Sequence, residues 1–204
     1  HVFCHNIRDY SLNKHHRADD YAYGGGKGMV MTAQPVCDCF KAIRAAVPTT
    51  RLIYLSPKGK KLTQNKAKKL LKYENITLLC GHYEGIDQRA LDLIVDEELS
   101  IGDYVLTGGE LAAMIVVDTV SRMVDGVLAD RSCFEDESIY SGLLEYPQYT
   151  RPAEYEGIKV PEVLINGHHA NIKKWRFEQS LIITKEKRKD LYHKYNLKQN
   201  PNKF

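Results

Sequence analysis

No apolar run in this sequence approaches the ~20 residues that span a bilayer, and no targeting pattern opens it. A membrane role is therefore not expected, and a cytoplasmic location is. There is no G-x-x-x-x-G-K-[ST] phosphate loop and no G-x-G-x-x-G dinucleotide turn, so the common nucleotide folds are excluded. Internal repeats and low-complexity tracts are missing too. The five cysteines (Cys4, Cys37, Cys39, Cys80, Cys133) are odd in number, and Cys37–Cys39 is a lone C-x-C without a second pair. That argues against both a disulfide framework and a zinc site, and for reduced thiols. Adjacent histidines, His15–His16 and His168–His169, rarely face one ion, so metal ligation is not expected.

What is present is an ordinary globular composition, 43% hydrophobic and 27% charged, on a chain of 204 residues that is long enough to bury a core. The net charge of +3 hides an asymmetry. Residues 168–204 hold ten Lys/Arg against three Asp/Glu, so a basic end follows a mildly acidic body. A polyanionic partner docking at that end accounts for the asymmetry, and a solvated helical surface accounts for it equally well.

Three glycine-punctuated segments dominate the middle of the chain: YLSPKG (Tyr54–Gly59), CGHYEGID (Cys80–Asp87) and SIGDYVLTGGE (Ser100–Glu110). Each stands where an apolar β-type run breaks, the runs being RLIYLS, ITLLCG and Tyr104–Leu106. Three loops at three strand ends build one pocket with backbone walls. A helix capped by Thr63 is expected through Lys72, then a strand over Ile76–Cys80 and a helix from Gly85 to about Val95. Asp96–Ser100 reads as a connection or a short strand. Gly108–Val124 is apolar nearly all round, which predicts a helix buried on more than one side, against a partner subunit as well as the sheet. Strands alternating with helices predict an α/β fold with a mostly parallel sheet. Residues 129–137 lose all periodicity and are the expected linker between domains at 1–128 and 138–204. Beyond them a short strand around Val160–Ile165 and helices from Asn171 onward are expected.

Together with the loop YGGGKGM (Tyr23–Met29) and the segment GLLEYPQYTRP (Gly142–Pro152), the three segments strongly resemble bacterial tRNA (guanine-N1)-methyltransferases of the SPOUT superfamily. The resemblance runs in unbroken order over essentially the whole chain. It implies a homodimer, a deep trefoil knot in the N-terminal sheet and a small, mainly helical, basic C-terminal domain that binds tRNA. Family members begin with a strand and helix that precede anything seen here, so the first strand of the knotted sheet is expected to be missing from this sequence. The implied reaction moves a methyl group from S-adenosyl-L-methionine to N1 of the guanosine just 3′ of the anticodon.

The resemblance assigns the methyl donor to Tyr54, Leu55, Ser56, Pro57, Gly81, Tyr83, Glu84, Gly85, Ser100, Ile101, Gly102, Tyr104, Leu106, Gly108 and Gly109. Backbone groups in such loops read an adenine edge, and glycines allow close approach. It makes Arg122 an active-site cation, while its spacing from Asp118 also suits an intrahelical ion pair. The family's catalytic aspartate falls on Glu137, with Asp136 as the competing base one residue earlier. Lys173, Lys174, Arg176 and His169 are the expected RNA contacts. Trp175 either stacks a base or anchors the core. A magnesium ion is allowed by the resemblance, although no ligand spacing asks for one. A fold that keeps RNA binding without catalysis and an enzyme acting on ribose 2′-OH are the alternative readings.

Overall fold

The computed structural model describes residues 1–130 and 137–199. The chain divides into two compact units, His1–Val127 and Leu128–Phe204. Most of the expected linker, together with Cys133 and Asp136, lies outside the described residues.

The first unit is built on three parallel strands. β3 (Arg51–Lys61) runs between β4 (Ile76–Cys80) and β5 (Glu97–Ser100). Ahead of them, β1 (Asp19–Tyr21) and β2 (Met29–Met31) form a small antiparallel pair. Five consecutive residues of β3, Leu52 to Ser56, are buried, as expected for a strand covered on both faces. Because side chains alternate along a strand, Leu52 and Tyr54 join one cluster with Val36, Phe40, Leu79 and Leu91. Ile53 and Leu55 join another, with Leu70, Leu99, Ala112 and Val116.

Helices α1 (Ala33–Ala46), α2 (Gln64–Leu70), α3 (Gln88–Ile94) and α4 (Glu110–Ser121) cover the sheet. Thr63 caps α2 by accepting from the Lys66 N–H, as its hydroxyl predicts, and Asp87 caps α3 through the Arg89 N–H. The segment at Asp96–Ser100 resolves as strand β5. Its register against β3 corrects the reading of YLSPKG as a loop at a strand end, since β3 runs through that segment to Lys61. Ile53–Leu55 pair with Glu97–Leu99, and then Lys60 pairs with Leu99 again, so the residues between bulge out of the strand. Pro57, which has no N–H to contribute to a ladder, sits in that bulge.

Two further local expectations need correction in this unit. Tyr104–Leu106 is not a strand but part of the exposed loop after β5, because the sheet offers it no neighbour to pair with. Helix α4 is also shorter than Gly108–Val124. Only Ala112 and Val116 of the helix are buried, while Leu111, Met114 and Ile115 are 58%, 66% and 41% exposed. A single chain covers just one side of it.

The second unit holds a two-stranded pair, β6 (Glu154–Tyr155) and β7 (Ile158–Lys159), and helices α5 (Glu162–Ile165), α6 (His169–Lys187) and α7 (Lys189–Gln199). The strand expected around Val160–Ile165 is therefore wrong. Glu156 and Gly157 both take positive φ, the conformation of a tight two-residue hairpin turn, and this places the strands earlier. Thr184 is fully buried on α6; its hydroxyl donates to the Ser180 carbonyl and accepts the Leu144 N–H at 2.8 Å. Tyr149 meets Trp175, and Arg176 lies over the Tyr146 ring at 4.7 Å. The GLLEYPQYTRP segment is thus fastened along α6, and Trp175 is one of its anchors. Among the described residues no helix is long and apolar enough to cross a membrane.

Candidate functional site

Parallel order sets the ends of β4 and β5 on either side of the bulge in β3, so the loops after β4 and β5 and that bulge are neighbours. The loop after β4 is gripped from two directions. On one side β2 continues the ladder: the Glu84 N–H donates to the Met29 carbonyl, and the Met31 N–H to that of Gly85, at 3.0 and 2.9 Å. On the other side the Gly109 N–H donates to the Gly81 carbonyl at 3.0 Å, and His82 bridges to Gly108. A Cβ on Gly109 would stand 2.7 Å from the Cα of Cys80, so only glycine permits this approach.

Between Ser100 and Gly109 the chain crosses the sheet's end. Ser100 accepts from the Leu62 N–H beyond β3, whereas Gly109 is bonded at the end of β4 on the far side. The Ser100 hydroxyl donates to the Gly102 carbonyl and accepts the Gly102 N–H, which fixes the start of the crossing.

The residues expected to hold the donor divide by what they can offer. Tyr54, Leu55 and Ser56 are buried, and Ser56 caps the bulge through the Lys58 N–H. The Tyr54 ring lies beside Gly81, and burial, aided by Glu98, raises its pKa. Its side chain belongs to the core; what it can give a ligand is backbone. Tyr83 and Tyr104 are 53% and 54% exposed, with Leu106 at 36%, so these side chains can lie over a flat ring. Tyr83 adopts positive φ, a costly conformation for a side chain of this size. Its hydroxyl accepts from Arg8, which also pairs with Asp19. The Glu84 side chain folds over Gly28, in space that a Cβ there would fill. The glycine-rich loop Tyr23–Gly28 therefore stands against this same wall.

Such a set suits S-adenosylmethionine. Its adenine and ribose need close backbone, its flat ring needs exposed apolar side chains, and its sulfonium needs a carboxylate, which Glu84 offers. Among the described residues no group of three or more His, Cys, Asp or Glu stands together as a metal-ligand set. Cys39 and Cys80 are pushed up to about 11, chiefly by burial, which keeps both thiols protonated and inert.

The remaining expected residues lie elsewhere. Arg122 ends α4, half-buried, its N–H bonded to the carbonyls of Asp118 and Val120. Glu137, in the second unit, is half-buried at the start of a tight turn. There the Ser138 hydroxyl accepts the Glu145 N–H at 2.9 Å, and the Gly142 N–H reaches the Ile139 carbonyl at 3.1 Å. Asp136 is outside the described residues. His169, Lys173, Lys174 and Arg176 are exposed along α6, with Lys174 4.0 Å from Glu178. Sequence reasoning passed over Arg8, His82 and Glu110, whose partners are distant in the chain.

The family description "tRNA (Guanine-1)-methyltransferase TrmD" matches residues 1–194. A tRNA (guanine-N(1)-)-methyltransferase of Ruminiclostridium cellulolyticum is 62% identical over 190 residues, 93% of this chain and 82% of that protein. Proteins of the same name from Lachnospira eligens and Clostridium perfringens are 58% and 57% identical, covering 95% and 97% of this chain and 83% of each relative.

Proposed function

The chain belongs to the tRNA (guanine-1)-methyltransferase family and is a tRNA methyltransferase, and we propose that it methylates N1 of the guanosine just 3′ of the anticodon, with S-adenosyl-L-methionine as donor. The observation that carries the donor site is the junction of Gly109 with Gly81, which joins the loops after β4 and β5 into one wall with exposed Tyr83, Tyr104 and Leu106. The donor supplies an electrophilic methyl on a sulfonium. The protein's part is to bind and orient it: backbone from Ser56, Gly81, Gly85, Gly102 and Gly109, apolar cover from Tyr104 and Leu106, and a balancing negative charge from Glu84.

Guanine N1 carries a proton and is a weak nucleophile until that proton leaves. Glu137 takes it, and Arg122 steadies the negative charge that spreads onto guanine O6. The C-terminal residues 138–204 hold the tRNA through phosphate contacts from Lys173, Lys174 and Arg176, with His169 at the start of α6. Residues 1–128 bind the donor, and 129–137 link the two.

A trefoil knot and a homodimer complete the proposal. The crossing of residues 101–109 past the end of β3, tied at Leu62 on one side and Gly81 on the other, supports the knot. The exposed stripe Leu111, Met114 and Ile115 on α4 supports a second copy covering that face. A cytoplasmic location follows from the substrate. The test is methyl transfer from labelled donor to a tRNA transcript with guanosine beside the anticodon, with the modified atom mapped. Methyl on guanine N1 is expected. Methyl on a ribose, or none at all, refutes the reading.

A further inference from the structure

Two side chains not assigned to the site close the gap between its second and third loops. His82 Nε2 lies 2.5 Å from Glu110 Oε1. One residue belongs to the loop after β4, and the other to the first turn of α4. Gly108 lies beneath them; a Cβ there would come within 2.5 Å of Glu110 Oε2 and 2.7 Å of His82 Cε1. A bare Cα is what lets the pair shut. The Glu110 carboxylate also sits at the N-terminal end of α4, where the helix favours negative charge. From the other side, the His82 N–H points to the Met31 sulfur at 3.4 Å, so β2 braces the same residue.

Both side chains are about half exposed, at 48% and 58%, and ion pairs so open to water contribute little to overall stability. Their geometry matters for another reason. Tyr83 and Glu84 follow His82 directly, and Gly108 and Gly109 precede Glu110 directly. The His82–Glu110 contact thus ties together the two loops that carry these residues. We infer that His82 and Glu110 are positioning residues for methyl transfer, a clamp that sets the width of the cleft between the CGHYEGID loop and the head of α4. This rests on the donor-site reading above.

The experiment compares His82→Ala, Glu110→Ala, the double variant and Glu110→Gln in the full chain. S-adenosylmethionine binding is measured by calorimetry, turnover by tRNA methylation, and amide exchange of residues 81–87 and 108–110 without donor. Each alanine variant is expected to weaken donor binding about tenfold or more, with the double variant no worse than the singles. The donor KM should rise while kcat at saturating donor stays near wild type, and exchange in both loops should quicken. Glu110→Gln, which keeps an acceptor oxygen, should restore most of the affinity. Single effects that multiply in the double variant, or exchange unchanged by His82→Ala while wild type binds donor, overturn the clamp alone. Wild-type protein that takes up no donor overturns the donor-site reading and the positioning role with it.

Discussion

Gly109 donates its N–H to the carbonyl of Gly81, joining the head of α4 to the end of β4 at 3.0 Å. This contact leaves no space for a side chain, since the nearest obstacle to a Cβ is the Cys80 backbone, which cannot swing aside. Gly109→Ala should therefore cost about 1–3 kcal/mol in stability through forced backbone shifts. It should also lower donor affinity by about tenfold or more as the loops part. Thermal unfolding and calorimetry read the two effects separately, and a variant that melts and binds like wild type refutes the argument.

Thr184→Val keeps the shape of a fully buried side chain and removes its hydroxyl. The Leu144 N–H then loses its acceptor, and the expected loss is about 1–3 kcal/mol. Denaturant unfolding measures it. The GLLEYPQYTRP segment should loosen, with faster amide exchange over residues 142–150.

The proposed dimer is tested by mixing subunits. Glu84→Ala removes the charge assigned to the donor, and Glu137→Ala removes the assigned base. If each site draws these residues from different subunits, random mixing leaves one intact site in half the dimers, about a quarter of wild-type activity. Recovery of essentially nothing would place both residues in one chain.

Glu137→Gln should lower turnover by about 10²–10⁴ and leave donor binding nearly intact, because the amide keeps the side chain's size and cannot act as the base. Asp136→Asn should do little. Single-turnover methylation distinguishes the two, and the opposite pattern would move the base one residue back.

Replacing Lys173 and Lys174 by alanine should lower the slope of log affinity for tRNA against log salt by about one to two units. Both lysines are exposed on α6. A slope equal to wild type would make the basic end a solvated surface with the RNA bound elsewhere.

Much of this protein was legible in the sequence because its signals are local. The Thr63 cap and the strand Ile76–Cys80 each depend on residues a few positions apart, whereas the run of β3 past Pro57 to Lys61 did not show in the sequence. The glycine-rich segments and their order carried the family. Tertiary structure decided the rest. Tyr104–Leu106 has the composition of a strand but no strand beside it, and α4 is apolar on a side that one chain does not cover. Tyr54 is taken into the core by Val36 and Leu79, residues on α1 and β4. The meeting of His82 with Glu110, and of Arg8 with Tyr83, spans 28 and 75 positions of chain. No periodicity encodes a pairing of that kind, because it exists only after the parallel sheet has aligned its strand ends and the loops have crossed.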